Sequence, residues 1–284
     1  MKADLHIHST YSDGRLNPWE IVQMAADSGT NTIAITDHDS VAGIDLAVKA
    51  AAAFPRFHVI PGVEMATNIP EGNEVHILGY FIDYNHRLLL DFLESQRRYR
   101  DERAARMLEK LAVLGIHIDF KQVKELAVGE SLGRPHIARA MAEAGYVSSI
   151  RDAFIKYIGS GGPAYVARDK VSTEEIINLT QKVGGVAVMA HPLEVRMRAR
   201  ELEGLIAQLK AQGLMGLEAY YDGYPLTTKI QLAKLAHKYD LLALGGSDYH
   251  GLDIDDTPLG GVEIPDEEME RFLALEKRQV HISH

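Results

Sequence analysis

Near the N-terminus, Asp4-Leu5-His6-Ile7-His8 alternates polar and apolar side chains, the period of a β-strand whose two faces meet different surroundings. The pattern predicts that Leu5 and Ile7 pack into the protein while His6 and His8 share the opposite face, their Cα atoms roughly 6.6 Å apart, twice the strand rise. Asn17-Pro18 has the form of an N-cap followed by proline at the first helical position, so a helix is expected to about Ser28, with Gly29 ending it. Short apolar runs at Thr32–Thr36 and about Phe57–Ile60 predict two more strands, with a helix over about Val41–Ala53 between them, and Glu74–Phe81 alternates again. Gly185–Met189, Met215–Ala219 and Leu241–Leu244 complete a set of seven strands. Strand and helix in alternation define an α/β protein.

The pattern changes in between. From Asn85 a long charged helix runs to Leu114, followed by helical segments near Asp119–Val128, Pro135–Ala144 and Ser148–Ile158 with no strand signal. The expected organisation is therefore an α/β domain made of residues 1–84 and 164–284, with residues 85–163 as a helical insert ending at the glycine-rich stretch before Pro163. No internal repeat or low-complexity segment is present.

Composition narrows the function classes. A chain of 284 residues, 46% hydrophobic and 25% charged, can bury a large core. It holds no run long and apolar enough for a membrane span. The first strand begins at once, which leaves no room for a signal peptide, so a cytoplasmic location is expected. With no cysteine, any metal must be held by His, Asp and Glu. A formal charge of −10 disfavours wrapping of long nucleic acid, although a small anion can still bind where cations gather.

The candidate chemistry lies where the strands end. His6 and His8, His38, Glu64, His191, and Asp248 with His250 all fall at or just beyond the carboxyl ends of predicted parallel strands, the end at which barrels of this kind build their sites. His76 lies inside the Glu74–Phe81 strand, and the other histidines, His58, His86, His117, His136, His237, His281 and His284, show no such placement and are read as surface or structural.

These motifs, Asp4-Leu5-His6-Ile7-His8-Ser9, Thr36-Asp37-His38-Asp39, Gly62-Val63-Glu64, Val75-His76, Ala190-His191-Pro192 and Ser247-Asp248-Tyr249-His250, resemble those of the PHP (polymerase and histidinol phosphatase) phosphoesterases. The insert, with Gly133-Arg134-Pro135-His136, further resembles the stand-alone branch acting on nucleotides and short RNA. The resemblance implies a distorted seven-stranded (β/α) barrel, in agreement with the strand count. It also implies a site for two to three divalent ions, manganese first, with zinc or iron as alternatives. His6, His8, Glu64 and Asp248 would surround one ion; Glu64, His76 and His191 a second; Asp13, His38 and His250 a third. Many relatives carry histidine where this chain has Asp13. An amide-hydrolysing barrel also opens on His-x-His but uses a bridging lysine, a role taken here by Glu64.

Metal ions make a nucleophile from water at neutral pH and offset phosphoryl charge. Asp248 and His191 are the candidates for catalytic duty, Asp248 for protonating the leaving oxygen. Asp37 and Asp39 are expected either to orient His38 or to cap the following helix. Arg134, at an expected helix start, and Arg168 and Lys170, where the chain re-enters the barrel, are the candidates for gripping the rest of the substrate. Arg97, Arg98, Arg100, Arg103 and Arg106 interleave with acids and read as a solvated helix face. A metal cluster and a separate arginine site together call for a substrate with two phosphates. A nucleoside 3′,5′-bisphosphate, such as adenosine 3′,5′-bisphosphate, meets this requirement through loss of its 3′-phosphate. A short RNA cleaved 5′ to 3′ meets it too, and a non-catalytic metal-binding domain is the remaining alternative.

Overall fold

The computed structural model describes residues 2–69, 74–129, 131–167, 171–251 and 258–280, the side chains of residues 277–280 excepted. A seven-stranded sheet runs in chain order: β1 (Ala3–Ile7), β2 (Thr32–Ile35), β3 (His58–Asn68), β4 (Glu74–Tyr80), β5 (Val186–Met189), β6 (Gly216–Glu218) and β7 (Leu242–Leu244). The helices are α1 (Pro18–Asp27), α2 (Ile44–Ala51), α3 (Arg87–Val113), α4 (Phe120–Leu126), α5 (Arg134–Glu143), α6 (Ile150–Ala153), α7 (Thr173–Lys182), α8 (Ala199–Ala211), α9 (Leu226–Lys238) and α10 (Asp266–Val280). None of the described helices is long and apolar enough to cross a membrane.

The sheet curls back on itself. Beyond β7 the chain bonds to β1: Leu5 N donates to the Gly245 carbonyl at 3.3 Å, Tyr249 N to the His6 carbonyl at 3.4 Å, and His8 N to the Tyr249 carbonyl at 2.9 Å. This is the distorted seven-stranded barrel of PHP type. β4 departs from the expected parallel order, because it pairs antiparallel with both β3 and β5. β3 is also longer than the apolar run at its start, continuing through Glu64 to Asn68, since the hairpin to β4 supplies ladder partners beyond Ile60. Glu64 thus lies inside a strand rather than past its end.

α1 begins as expected, with Asn17 and Glu20 forming a reciprocal capping box and Gly29, at φ +78°, closing the turn. A second departure is in β1. Its pairing with β2 shifts register between Asp4 and Ile7, and such a shift re-aims side chains. Leu5 packs with Ile60, Leu78, Tyr80 and Val188, backed by Phe272 of α10. Ile7 instead joins Ile21 and Val22 of α1 and Ala47 and Ala50 of α2.

Helices α3 to α6 follow one another without a strand, and α6 passes into a π-helical turn at Phe154–Ile158. Their apolar cluster, from Ala104 and Met107 to Ile158 and Ala164, is separate from those of the sheet. The first half of α3 belongs elsewhere, with Leu89 and Leu93 fully buried among Val63, Ile77 and Ile176.

Candidate metal centre

Register brings the ligands together. Ala66 pairs with His76 across the β3–β4 hairpin, so Glu64, two residues back on the same face, is the diagonal neighbour of His76. Reversal of β4 is what delivers His76, near that strand's start, to the end where β1, β2 and β5 deliver their histidines. His38 runs alongside Glu64 in a short parallel bridge, with Asp39 N donating to the Glu64 carbonyl at 3.0 Å.

Glu64 is 1% exposed and faces five imidazoles. Its Oε2 lies 3.4 Å from His6 Nε2, 3.2 Å from His8 Nε2 and 2.9 Å from His38 Nδ1. Its Oε1 lies 2.6 Å from His76 Nδ1 and 3.1 Å from His191 Nε2. Asp248 Oδ1 closes the first group at 3.3 Å from His6 Nε2 and 3.0 Å from His8 Nε2. On the far side Asp13 approaches His250 Nε2 at 3.4 Å, His8 Nδ1 at 3.7 Å and His38 Nε2 at 3.9 Å. Three groups have ligand atoms within 4.8 Å of one another: His6, His8, Glu64 and Asp248; His38, Glu64 and His76; His8, Asp13, His38 and His250. Eight of the nine residues expected from the resemblance fall in these groups; His38 stands where His191 was expected beside Glu64 and His76. His38 faces Glu64 with one nitrogen and Asp13 with the other, and His191 reaches Glu64 from the opposite side.

The arrangement fits cations. His6 Nε2, His8 Nε2, Asp13 Oδ1, His38 Nδ1 and Glu64 Oε2 are buried without a hydrogen-bond partner among the described residues. Buried polar atoms left in that state are costly, and convergent His, Asp and Glu atoms suit divalent metals. Charges within the cluster push the same way. Against burial, which raises them, the neighbouring imidazoles hold the Glu64 carboxyl well below its ordinary range. Asp248 is likewise held low against burial by His6, His250 and His8. Against burial, which lowers it, Glu64 raises His76 to about 10, and Asp13 and Asp248 raise His250 to about 10. His38 goes down to about 4, because burial outweighs Glu64 and Asp13.

Behind the ligands stand further buried carboxylates. Asp37 accepts from Ser9 N, Ser9 Oγ and Ser12 Oγ, and Ser12 Oγ lies 3.4 Å from His8 Nδ1, so Asp37 braces the His8 loop rather than His38. Asp39 receives Arg100 Nε at 2.5 Å and its carbonyl receives Arg97 Nη1 at 3.0 Å. Neither aspartate caps α2, whose N-cap is Gly43. Glu218, 1% exposed on β6, lies 3.1 Å from His6 Nδ1. Its position on a predicted strand was visible in the sequence, but its partners on other strands were not.

A cavity of about 260 Å³ opens beside Glu64, His76, His191 and His250 and is walled on the other side by α3 and α5. Arg134, first residue of α5, lines it, with Nη2 3.7 Å from Glu74 and the guanidinium over the Phe154 and Tyr165 rings at 5.7 and 5.8 Å. Arg100 and Arg103 line it too and are only 8% exposed each, contrary to the solvated face expected of them. The apolar positions of α3 leave these two arginines on its inward edge, where Asp39 and the Val166 carbonyl receive their Nε atoms. Arg98 does stay in solvent. His136 is buried and accepts from Gly133 N at 2.9 Å, which fixes the turn that presents Arg134. Arg168 and Lys170 lie outside the described residues.

A curled sheet carrying convergent His, Asp and Glu groups at one end defines a metal-dependent phosphoesterase. The profile of the PHP domain matches residues 4–159, and the chain belongs to the PHP family. It is a hydrolase of phosphate esters. A 5′-3′ exoribonuclease from Haemophilus influenzae is 38% identical over 93% of each chain. A 3′,5′-nucleoside bisphosphate phosphatase from Chromobacterium violaceum is 36% identical over 87% of this chain and 86% of that one. Among solved structures, a Bifidobacterium adolescentis protein assigned as a metal-dependent phosphoesterase superposes with a TM-score of 0.86 at 30% identity, over 96% of both chains.

Proposed function

We propose that the enzyme removes the 3′-phosphate of nucleoside 3′,5′-bisphosphates, giving the 5′-monophosphate and inorganic phosphate. The observation that carries this reading is the pairing of the ligand cluster with arginines on the opposite wall of one small cavity. Two to three divalent ions, manganese first, would be held by His6, His8, Glu64 and Asp248, by Glu64, His76 and His191 with His38 beside them, and by Asp13, His38 and His250. Such ions would supply an attacking nucleophile from water and neutralise charge on the transferring phosphoryl group.

The protein's own part is placement. Arg134 is tied through Glu74 to the neighbourhood of His76, and its planar fork suits the 5′-phosphate. Arg100 and Arg103 add positive charge on the same wall, where burial strengthens each contact. Phe154 and Tyr165 hold the Arg134 fork flat. Asp248, which receives the Tyr221 hydroxyl at 3.3 Å, would act as a ligand and is the candidate for protonating the leaving oxygen. Enclosure by α3 and α5 keeps water from competing for the phosphates. Arg168 and Lys170 would extend the anion site.

A second reading has specific support in the similarity to the Haemophilus influenzae exoribonuclease. A short RNA would set its terminal 5′-phosphate on Arg134 and its first phosphodiester on the ions, so one site could serve both substrates. Substitution of Arg134 by Ala is expected to cost about 2 kcal/mol or more in kcat/KM for a bisphosphate, the order of a charged hydrogen-bond pair, and little for a substrate with one phosphate. Equal losses on both would refute the two-phosphate site. Rates on the bisphosphate against a 5′-phosphorylated trinucleotide, measured with manganese, decide which substrate leads.

A further inference from the structure

We propose that Glu218 is a positioning residue of the metal centre, one carboxylate that sets the tautomer of His6 and holds the backbone of His191. The inference rests on the metal-holding reading above and adds a residue outside the nine ligands.

The two oxygens of Glu218 have different work. Oε1 lies 3.1 Å from His6 Nδ1. The other ring nitrogen of His6, Nε2, faces Glu64 and Asp248 at 3.4 and 3.3 Å. A carboxylate beside Nδ1 accepts a hydrogen bond only if the proton is there, which leaves the Nε2 lone pair directed at the cation position. Oε2 accepts the backbone N–H of His191 at 2.6 Å. His191 has φ 22° and ψ 65°, a conformation L residues rarely adopt without being held. It is this backbone that turns the His191 ring so that Nε2 meets Glu64.

Glu218 is therefore the link between a ligand on β1 and a ligand after β5, and it reaches both from β6 between β5 and β7. The surroundings leave it no alternative position. It is 1% exposed, and a Cβ on Gly246 would stand 3.0 Å from Oε1 while colliding with the His6 side chain. The glycine after Gly245 is thus required by the close approach of the closing segment to this pair.

Glu218→Gln keeps the shape and breaks the pattern. An amide offers one acceptor and one donor, so it can serve His6 or His191 correctly but not both. The measurement is calorimetric titration of metal-stripped full-length protein with manganese, beside circular dichroism and melting of the same samples. Wild type is expected to bind manganese, and E218Q to bind at least one ion ten- to a hundredfold more weakly, with unchanged secondary structure. E218Q affinities within twofold of wild type, whatever the change in melting temperature, would overturn the proposal and leave the metal site standing. A flat wild-type titration would instead overturn the metal reading and this inference with it. Should E218Q fail to fold, nitrogen-proton correlation spectra of zinc-loaded wild type serve in its place. They should show a downfield, slowly exchanging Nδ1 proton on His6, and its absence would overturn the proposal.

Discussion

At the scale of single residues, Glu64 carries more of the site than any other side chain. Five imidazoles surround its two oxygens, so removing the carboxylate takes from this crowd the one anion that all five share. Glu64→Ala is expected to abolish turnover and to lower the manganese content by elemental analysis, while circular dichroism stays that of a folded barrel. The same crowd makes metal uptake depend on pH. Without a cation, His76 and His250 hold protons up to about 10, and ligands must shed protons before they bind. Protons therefore compete with metal, and raising pH favours the metal. Apparent manganese affinity should rise steadily from pH 6 to pH 9, by up to about tenfold per unit for each proton displaced; affinity that fell over this range would contradict the ligand set.

At the scale of elements, the sequence was most legible where a local rule determined the outcome. Asn17-Pro18 and Gly29 bracket α1 because capping chemistry is local. Asn17→Ala should cost about 1 kcal/mol of stability, read as a lower melting temperature with manganese affinity unchanged. Seven of the nine ligand candidates were marked by their place at predicted strand ends, while Asp13 and His76 entered only through the resemblance. What a local pattern could not carry was partnership. The direction of β4 depends on which strands flank it, and a strand reads the same in either direction. The length of β3 depends on β4 being there to pair with. Arg100 and Arg103 sit in a charged run whose inward edge is decided by what packs beneath it, and Asp39 and Val166 lie far away in the chain. Leu5 and Ile7 alternate as a strand should, yet a register shift against β2 sends them to different clusters.

At the scale of the whole molecule, α3 joins two bodies of packing. Its first half is built into the sheet's core through Leu89 and Leu93, and its second half into the helical cluster. A short linker in place of residues 85–163 would delete both leucines from that core, at about 2–5 kcal/mol each. The shortened protein should melt well below the full chain. It should still bind manganese, because none of the nine ligands comes from the excised helices, and it should lose its preference for two-phosphate substrates. Retained full activity on the bisphosphate would show that α3 and α5 do not set specificity.

The closing bonds between β1 and the segment after β7 have a further consequence for how the enzyme is made. His6 and His8 stand on β1, and Asp248 and His250 about 240 residues further along the chain. Contacts between such distant parts of a chain form late, after the loop between them has been drawn together. Until they form, the two ligand groups that include Asp248 and His250 stay incomplete. Turnover is thus expected to appear together with closure of the sheet and not before it.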